Sequence, residues 1–209
     1  MRLIFSTSNH MNTDISNEQG HKLYSISTPR AKKQVTTVTK YPQSSHTTMQ
    51  RGEVMGIIEW DRRKKTVIRF NGQEVDADTM LEARRWSSSG RYFTGPDRLP
   101  YKWKLGQRYC WRAEGSNVEL AKFHKKNLGF LKPSHSPYLN VSSAVTHMVD
   151  HIVITYIYAE ALREAQQARQ SRTSNSSYFP NHQMMAAAAS VPPPAMPPPA
   201  MPPPAMPTC

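Results

Sequence analysis

Ile152-Val153-Ile154-Thr155-Tyr156-Ile157-Tyr158 is the stretch on which the fold turns. Taken alone it is β-branched and reads as a strand. It lies, however, in a run from Val145 to Gln170 that has neither Gly nor Pro, and it leads directly into Ala159-Glu160-Ala161-Leu162-Arg163-Glu164-Ala165-Gln166-Gln167-Ala168. That continuation consists almost wholly of strong helix formers, so the whole reads as one helix over about 145–168. Such a helix is apolar on every face around Ile152, Val153, Ile154, Tyr156, Ile157 and Tyr158, and must be buried all round. A bilayer is excluded as the surrounding medium, because a span needs ~20 apolar residues and Asp150, His151 and Glu160 bracket this one. Protein must enclose it. From Val145 to Leu162, at ~1.5 Å per residue, it runs about 27 Å, the height of a β-barrel.

The rest of the chain supplies such a barrel. Short β-branched and aromatic segments recur between Gly, Pro, Asn, Asp and Ser punctuation. Strands are predicted near Arg2–Ser6, Lys22–Ser27, Gln34–Lys40, Val54–Trp60, Thr66–Phe70, Gln73–Val75, Arg91–Phe93, Tyr101–Leu105, Arg108–Ala113, Val118–Phe123, Leu128–Leu131 and Tyr138–Val141. The fold class is therefore β-rich: about twelve antiparallel strands in a closed or nearly closed barrel around a buried C-terminal helix. Asp78 to Arg85 predicts one or two helical turns with Asp78 as N-cap. One hairpin joins Val54–Trp60 to Thr66–Phe70 through Asp61-Arg62-Arg63-Lys64-Lys65. A second turns at Gly106-Gln107, a pair suited to a type II′ turn. With a two-residue loop Lys102 faces Trp111 and Lys104 faces Tyr109, with Trp103 and Cys110 on the other side; a three-residue loop reverses that parity.

Charge is unevenly spread. The net charge is +12, and residues 1–140 carry 24 Lys/Arg against 12 Asp/Glu, while residues 141–209 carry 3 against 3. A cationic domain favours anionic partners without choosing among them, and solubility alone also accounts for it. Two cysteines, Cys110 and Cys209, make no disulfide framework, which fits a reducing compartment. Leu3-Ile4-Phe5 is too short for a signal-peptide core, so an intracellular location, cytoplasmic or nuclear and not secreted, is expected. The sequons at Asn140 and Asn175 are then chance matches. From residue 169 the chain turns polar, then Ala-rich, then repeats Pro-Pro-Pro-Ala-Met to Met206. This predicts a domain over 1–168 and a disordered tail over 169–209. The tail can offer polyproline II to a proline-recognising domain, but it has no flanking cation to orient docking, and a spacer is the favoured reading.

No phosphate-binding glycine loop, nucleophile elbow, Cys-x-x-Cys pair or His-Glu-x-x-His occurs, so no catalytic residue and no cofactor is assigned. His147 and His151, four apart beside Asp150, have the spacing of two ligands on one metal. They read better as residues at the mouth of the barrel, with Asp150 complementing the helix N-terminus, and no metal is assigned. Cys110 reads as a small apolar filler rather than a nucleophile. The functional candidates are cationic: Arg62, Arg63, Lys64 and Lys65 at a hairpin tip, Lys125 and Lys126 in a turn, with Arg84-Arg85 as a third patch. Each also serves as a solvated turn that keeps a sheet edge soluble.

Five motifs in order carry a resemblance: Gly56-Ile57-Ile58-Glu59-Trp60, Phe93-Thr94-Gly95-Pro96-Asp97, Tyr101-Lys102-Trp103-Lys104, Ala121-Lys122-Phe123-His124, and Asp150 through Glu160. Over about residues 1–165 the chain resembles a domain family of unknown function abundant in mushroom-forming basidiomycete fungi. That family is similar in turn to tubby-like and LURP-one-related barrels. The resemblance implies about twelve antiparallel strands around a hydrophobic helix and transfers no functional residue. Tubby-like barrels include phosphoinositide binders, so a non-enzymatic binding or scaffold module for anionic surfaces, with acidic phospholipid headgroups favoured, is the expected function. The alternatives are nucleic-acid binding through the interleaved Lys/Arg and Tyr/Trp of Tyr101–Arg112, and an uncharacterised enzyme.

Overall fold

A strand that covers a core on one face alternates inward apolar and outward polar side chains, and this pattern organises most of the domain. The computed structural model describes residues 1–43, 51–61, 65–84, 90–114, 118–129 and 133–176. Among these the elements are β1 (Arg2–Phe5), β2 (Thr13–Ser16), β3 (Lys22–Ser27), β4 (Gln34–Lys40), β5 (Glu53–Trp60), β6 (Val67–Phe70) and β7 (Gln73–Asp76), then α1 (Ala77–Met80). They continue with β8 (Glu82–Ala83), β9 (Gly90–Thr94), β10 (Pro100–Lys104), β11 (Tyr109–Arg112), β12 (Glu119–His124) and β13 (Tyr138–Val141). A 3-10 helix (Ser143–Met148) and α2 (Val149–Ser176) follow.

The chain divides into two units, Met1–Ala168 and Arg169–Cys209. The first holds every strand and most of α2; the described residues of the second are the last turns of α2. The tail predicted to be disordered over 169–209 begins instead as helix, because α2 runs on to Ser176 past its predicted end near residue 168; residues 177–209, with the Pro-rich repeat, lie outside the described residues.

All thirteen strands form one antiparallel sheet in the order β7-β6-β5-β4-β3-β2-β1-β13-β12-β11-β10-β9-β8. It is open, because β7 and β8 do not pair. Strict antiparallel alternation over an odd number of strands leaves the two edges pointing the same way. A parallel seam between consecutive strands needs a crossover of about a dozen residues or more, and α1 is far shorter.

Several local expectations change. β2 was not predicted, since Thr13-Asp14-Ile15-Ser16 offers only Ile15 as a large apolar residue. The helical turn is α1, capped by Asp76, whose carboxylate accepts the Asp78 N–H at 2.9 Å; Asp78 is not the cap, and the chain returns to strand at β8. Gln107 and Gly106 do not make a type II′ turn: residues 105–108 form the loop, and Arg108 holds the left-handed conformation at φ 57°. The register nevertheless pairs Lys102 with Trp111 and Lys104 with Tyr109. Leu128 is exposed and lies outside any strand, while Leu131 is outside the described residues. Finally, α2 starts at Val149 rather than Val145, because Val145 leaves helical geometry (φ −127°, ψ 16°) inside the 3-10 helix.

The middle of α2 is enclosed. Ile152, Val153, Ile154 and Ile157 are 0% exposed, and Tyr156 and Tyr158 are buried. At its start Asp150 accepts hydrogen bonds from Tyr24 of β3 and Lys40 of β4, both at 2.6 Å. Midway, Trp103 of β10 donates its indole N–H to Thr155 Oγ1 at 3.0 Å, and the Tyr156 ring meets Phe5, Trp103 and Phe123. Further on, Tyr158 donates to Asp78 Oδ1 at 3.0 Å. Strands from both halves of the sheet order thus contact one helix. Gly56 of β5 makes room for it: a Cβ there would stand 3.1 Å from Ile154 Cδ1 and 3.3 Å from the Arg69 carbonyl oxygen.

Candidate functional site: a cationic end and a cation–aromatic face

Register fixes which loops share an end of the sheet. Pairing Gln34 with Trp60, Thr13 with Ile26, Ile4 with Tyr138, His124 with Tyr138, Lys104 with Tyr109 and Ala83 with Arg91 brings six connections to one end: 6–12, 28–33, 61–66, 84–89, 105–108 and 125–137. Here this is the upper end. Among described residues those connections carry Arg30, Lys32, Lys33, Lys65, Arg84, Arg108, Lys125 and Lys126 against Asp61, and α1, which leaves β7 at this end, adds Asp78. The lower-end connections carry Arg51 and Arg98 against Glu18, Asp97 and Glu114. Since α2 begins beside Lys40 and reaches Arg108 at Glu160, it runs from the lower end to the upper.

The cations differ in how committed they are. Lys65 pairs with Asp76 at 2.7 Å, and that hydrogen bond raises the Lys65 pKa while lowering that of Asp76. Lys33 pairs with Glu59, which also holds Arg69. Arg30, Lys32, Lys125 and Lys126 are exposed and have no ion-pair partner among the described residues. Arg62, Arg63 and Lys64 lie outside the described residues. Arg30, Lys32, Lys33, Gln34, Trp60 and Asp61 line an open cleft of about 600 Å³. Its Trp60 is fixed from below: the indole N–H donates to Thr36 Oγ1, Thr36 to Thr28 Oγ1, and Thr28 to the Met11 carbonyl, each at 2.7 Å. Arg30, Lys32 and Lys33 were not singled out from sequence, although their closeness in the chain was a readable signal.

On the outward face of β9–β12, rings and cations interleave. Arg84 lies over Tyr92 at 4.1 Å, and Lys102 stands 5.8 Å from Tyr92 and 5.5 Å from Trp111. Lys104 is 5.6 Å from Trp111, and Lys122 is 4.6 Å from Tyr109. Tyr109 and Trp111 are half-buried and near-parallel, with centroids 5.9 Å apart at 11°. Cation–π pairs occur about once per 70–80 residues, so five on four adjacent strands is a concentration. Two carboxylates border it: Glu119 stands 3.6 Å from Lys122, and Glu82 of β8 pairs with Tyr92. The opposite flank of the sheet has another character: Lys33, Glu59, Arg69 and Glu74 neutralise one another there.

Where α2 approaches the upper end, Glu160 is 5% exposed and accepts from Arg108 (3.0 and 2.5 Å) and Arg163 (2.8 Å twice). Burial pushes the Glu160 carboxyl up, but the hydrogen bonds from both arginines outweigh it and the net pKa is lowered. His10, also buried, stands 3.6 Å from Glu164, and its Nε2 has no hydrogen-bond partner among the described residues. Burial lowers the His10 pKa, and Glu164 offsets part of that.

The residues weighed for other chemistry stand apart. His147, in the 3-10 helix, faces Asp97 at 3.7 Å, whereas His151, on α2, packs edge-on against Phe70 at 4.6 Å. No cluster among the described residues has three groups able to hold a metal. Cys110 is wholly buried, and burial pushes its thiol pKa far up. No described helix is long and apolar enough to cross a membrane.

Comparison with known proteins adds one finding. No curated protein and no solved structure matches the chain. A family of unknown function (DUF6593) matches residues 8–165, a stretch that includes every strand but β1 and reaches past Glu160 and Arg163 of α2. The chain belongs to that family, DUF6593.

Proposed function

We propose that the domain is a non-enzymatic binding module for polyanionic surfaces, which it meets with the upper end of its sheet. One observation carries the reading: the register gathers Arg30, Lys32, Lys125 and Lys126, all exposed, at the same end, while the lower end is close to neutral. A charge gradient along one axis orients the molecule in the field of an anionic partner and raises encounter rates in a salt-dependent way. Acidic phospholipid headgroups are one such partner, and a fixed cluster of lysines and arginines beside a surface gains about 1 kcal/mol per residue. A tubby-like arrangement, with the sheet wound round α2, belongs to the same proposal and is supported by contacts of α2 with both halves of the sheet.

Cosedimentation with phosphatidylcholine vesicles, with and without phosphatidylserine, tests it. The wild-type chain is expected to sediment only with the acidic vesicles and to release as salt rises. Arg30→Ser, Lys32→Ser, Lys125→Ser and Lys126→Ser combined should abolish this at unchanged thermal stability. Equal binding by the combined variant would remove the upper end from consideration. A second reading, nucleic acid as the polyanion, is favoured by the rings and lysines outside β9–β12.

A further inference from the structure

We propose that the outward face of β9–β12 is a stacking surface for single-stranded nucleic acid, with Trp111 and Tyr109 receiving bases and Lys102, Lys104 and Lys122 receiving phosphates. The proposal rests on the polyanion reading and names the ligand class. Base stacking needs a ring with an accessible face, and sequence-tolerant strand binding needs such rings beside cations. Tyr109 and Trp111 are half-buried beneath the lysines, 5.9 Å apart and nearly parallel, so that displacing the lysines offers two bases a pair of aligned rings. The three lysines flank them within 4.6–5.6 Å of the ring centroids. Lys102 and Lys104 are held over Trp111 by cation–π contacts and have no carboxylate within 4 Å among the described residues, whereas Lys122 is paired with Glu119 at 3.6 Å. A phosphate therefore competes well for the ammonium groups and uncovers the ring faces for bases.

Geometry also separates this ligand from a membrane. The outward face of a sheet curved about α2 turns away from any plane, so a bilayer would touch only a line of it, whereas a flexible strand can follow the curve. Lys104 and Tyr109 close the loop at the upper end, which joins the face to the cationic end and lets both attract the same chain.

Fluorescence anisotropy of a labelled oligothymidylate, titrated with the full chain, tests the proposal, with phosphatidylserine vesicles and heparin as parallel arms. Trp111→Ala is expected to weaken oligonucleotide binding about ten- to a hundredfold, and Trp111→Phe to retain most of it. Lys102→Ser with Lys104→Ser should reduce the slope of log affinity against log salt by about 1.4. These side chains point outward, and circular dichroism checks that the variants keep the fold. Wild-type affinity in Trp111→Ala overturns the proposal. So does a loss of vesicle binding in these variants with oligonucleotide binding unmoved, which would make the face a membrane contact. Wild-type binding to vesicles or heparin but not to the oligonucleotide defeats this proposal alone; binding to none of the three defeats the polyanion reading with it.

Discussion

At the scale of single residues, Glu160 shows how the domain disposes of buried charge. Removing one partner of an enclosed ion pair strands the other, at a cost of about 3–5 kcal/mol. Glu160→Gln would leave Arg108 and Arg163 facing a neutral amide and should destabilise the fold by about that much near neutral pH, as measured by urea denaturation. The pH dependence has a definite sign. The folded-state pKa of Glu160 lies below its ordinary value, so its stabilisation is complete above the unfolded value, about 4.3, and is lost as pH falls through the folded one. The gap between wild type and Glu160→Gln should therefore shrink with acidification; a gap independent of pH would contradict the assignment. None of this was legible in the sequence. Arg108 read as the start of a strand, and its partner lies 52 residues away, a pairing that only the packing of α2 against the β10–β11 loop creates.

Among the elements, α2 was the most legible, because a segment apolar on every face has few places to go. Its boundaries were not legible: Val145, buried just after β13, leaves helical geometry, and the helix runs on to Ser176, neither of which local propensity encodes. β8 was missed because two residues carry no periodicity, and β2 because its inward residues are Thr13 and Ile15. The cation–aromatic face was half legible. Alternation gave Lys102, Lys104, Tyr109 and Trp111, but Tyr92, Arg84 and Lys122 join it only through pairing with β9 and β12. Enclosure of α2 makes a distinct prediction. Ile152→Ala, Ile154→Ala and Ile157→Ala should each cost about 2–5 kcal/mol, although the three side chains leave the helix in different directions. A helix lying on a surface would tolerate one of them, so a single mutant with wild-type denaturation would count against enclosure.

Across the whole domain, the sheet is two consecutive meanders, β1 to β7 and β8 to β13, joined edge to edge where β1 pairs with β13. The Met1 amino group donates to the Val141 carbonyl at 3.0 Å, which ties the first strand to the last across the chain. A chain ending at Val141 keeps every strand yet lacks the helix that fills them, and it should be recovered as aggregate rather than as a folded monomer on size-exclusion chromatography. A folded, monomeric fragment would mean that the strands make a core without α2. The order of elements along the chain has a further consequence for biosynthesis. The ribosome delivers all of these strands, most with an apolar side awaiting cover, before it delivers the segment that covers them. The nascent chain must hold that greasy inner lining exposed until the final helix emerges from the exit tunnel. Non-local closure of this kind is slow and leaves unfinished chains adhesive. Cellular yield should therefore depend on holding chaperones during synthesis far more than the stability of the finished domain would indicate.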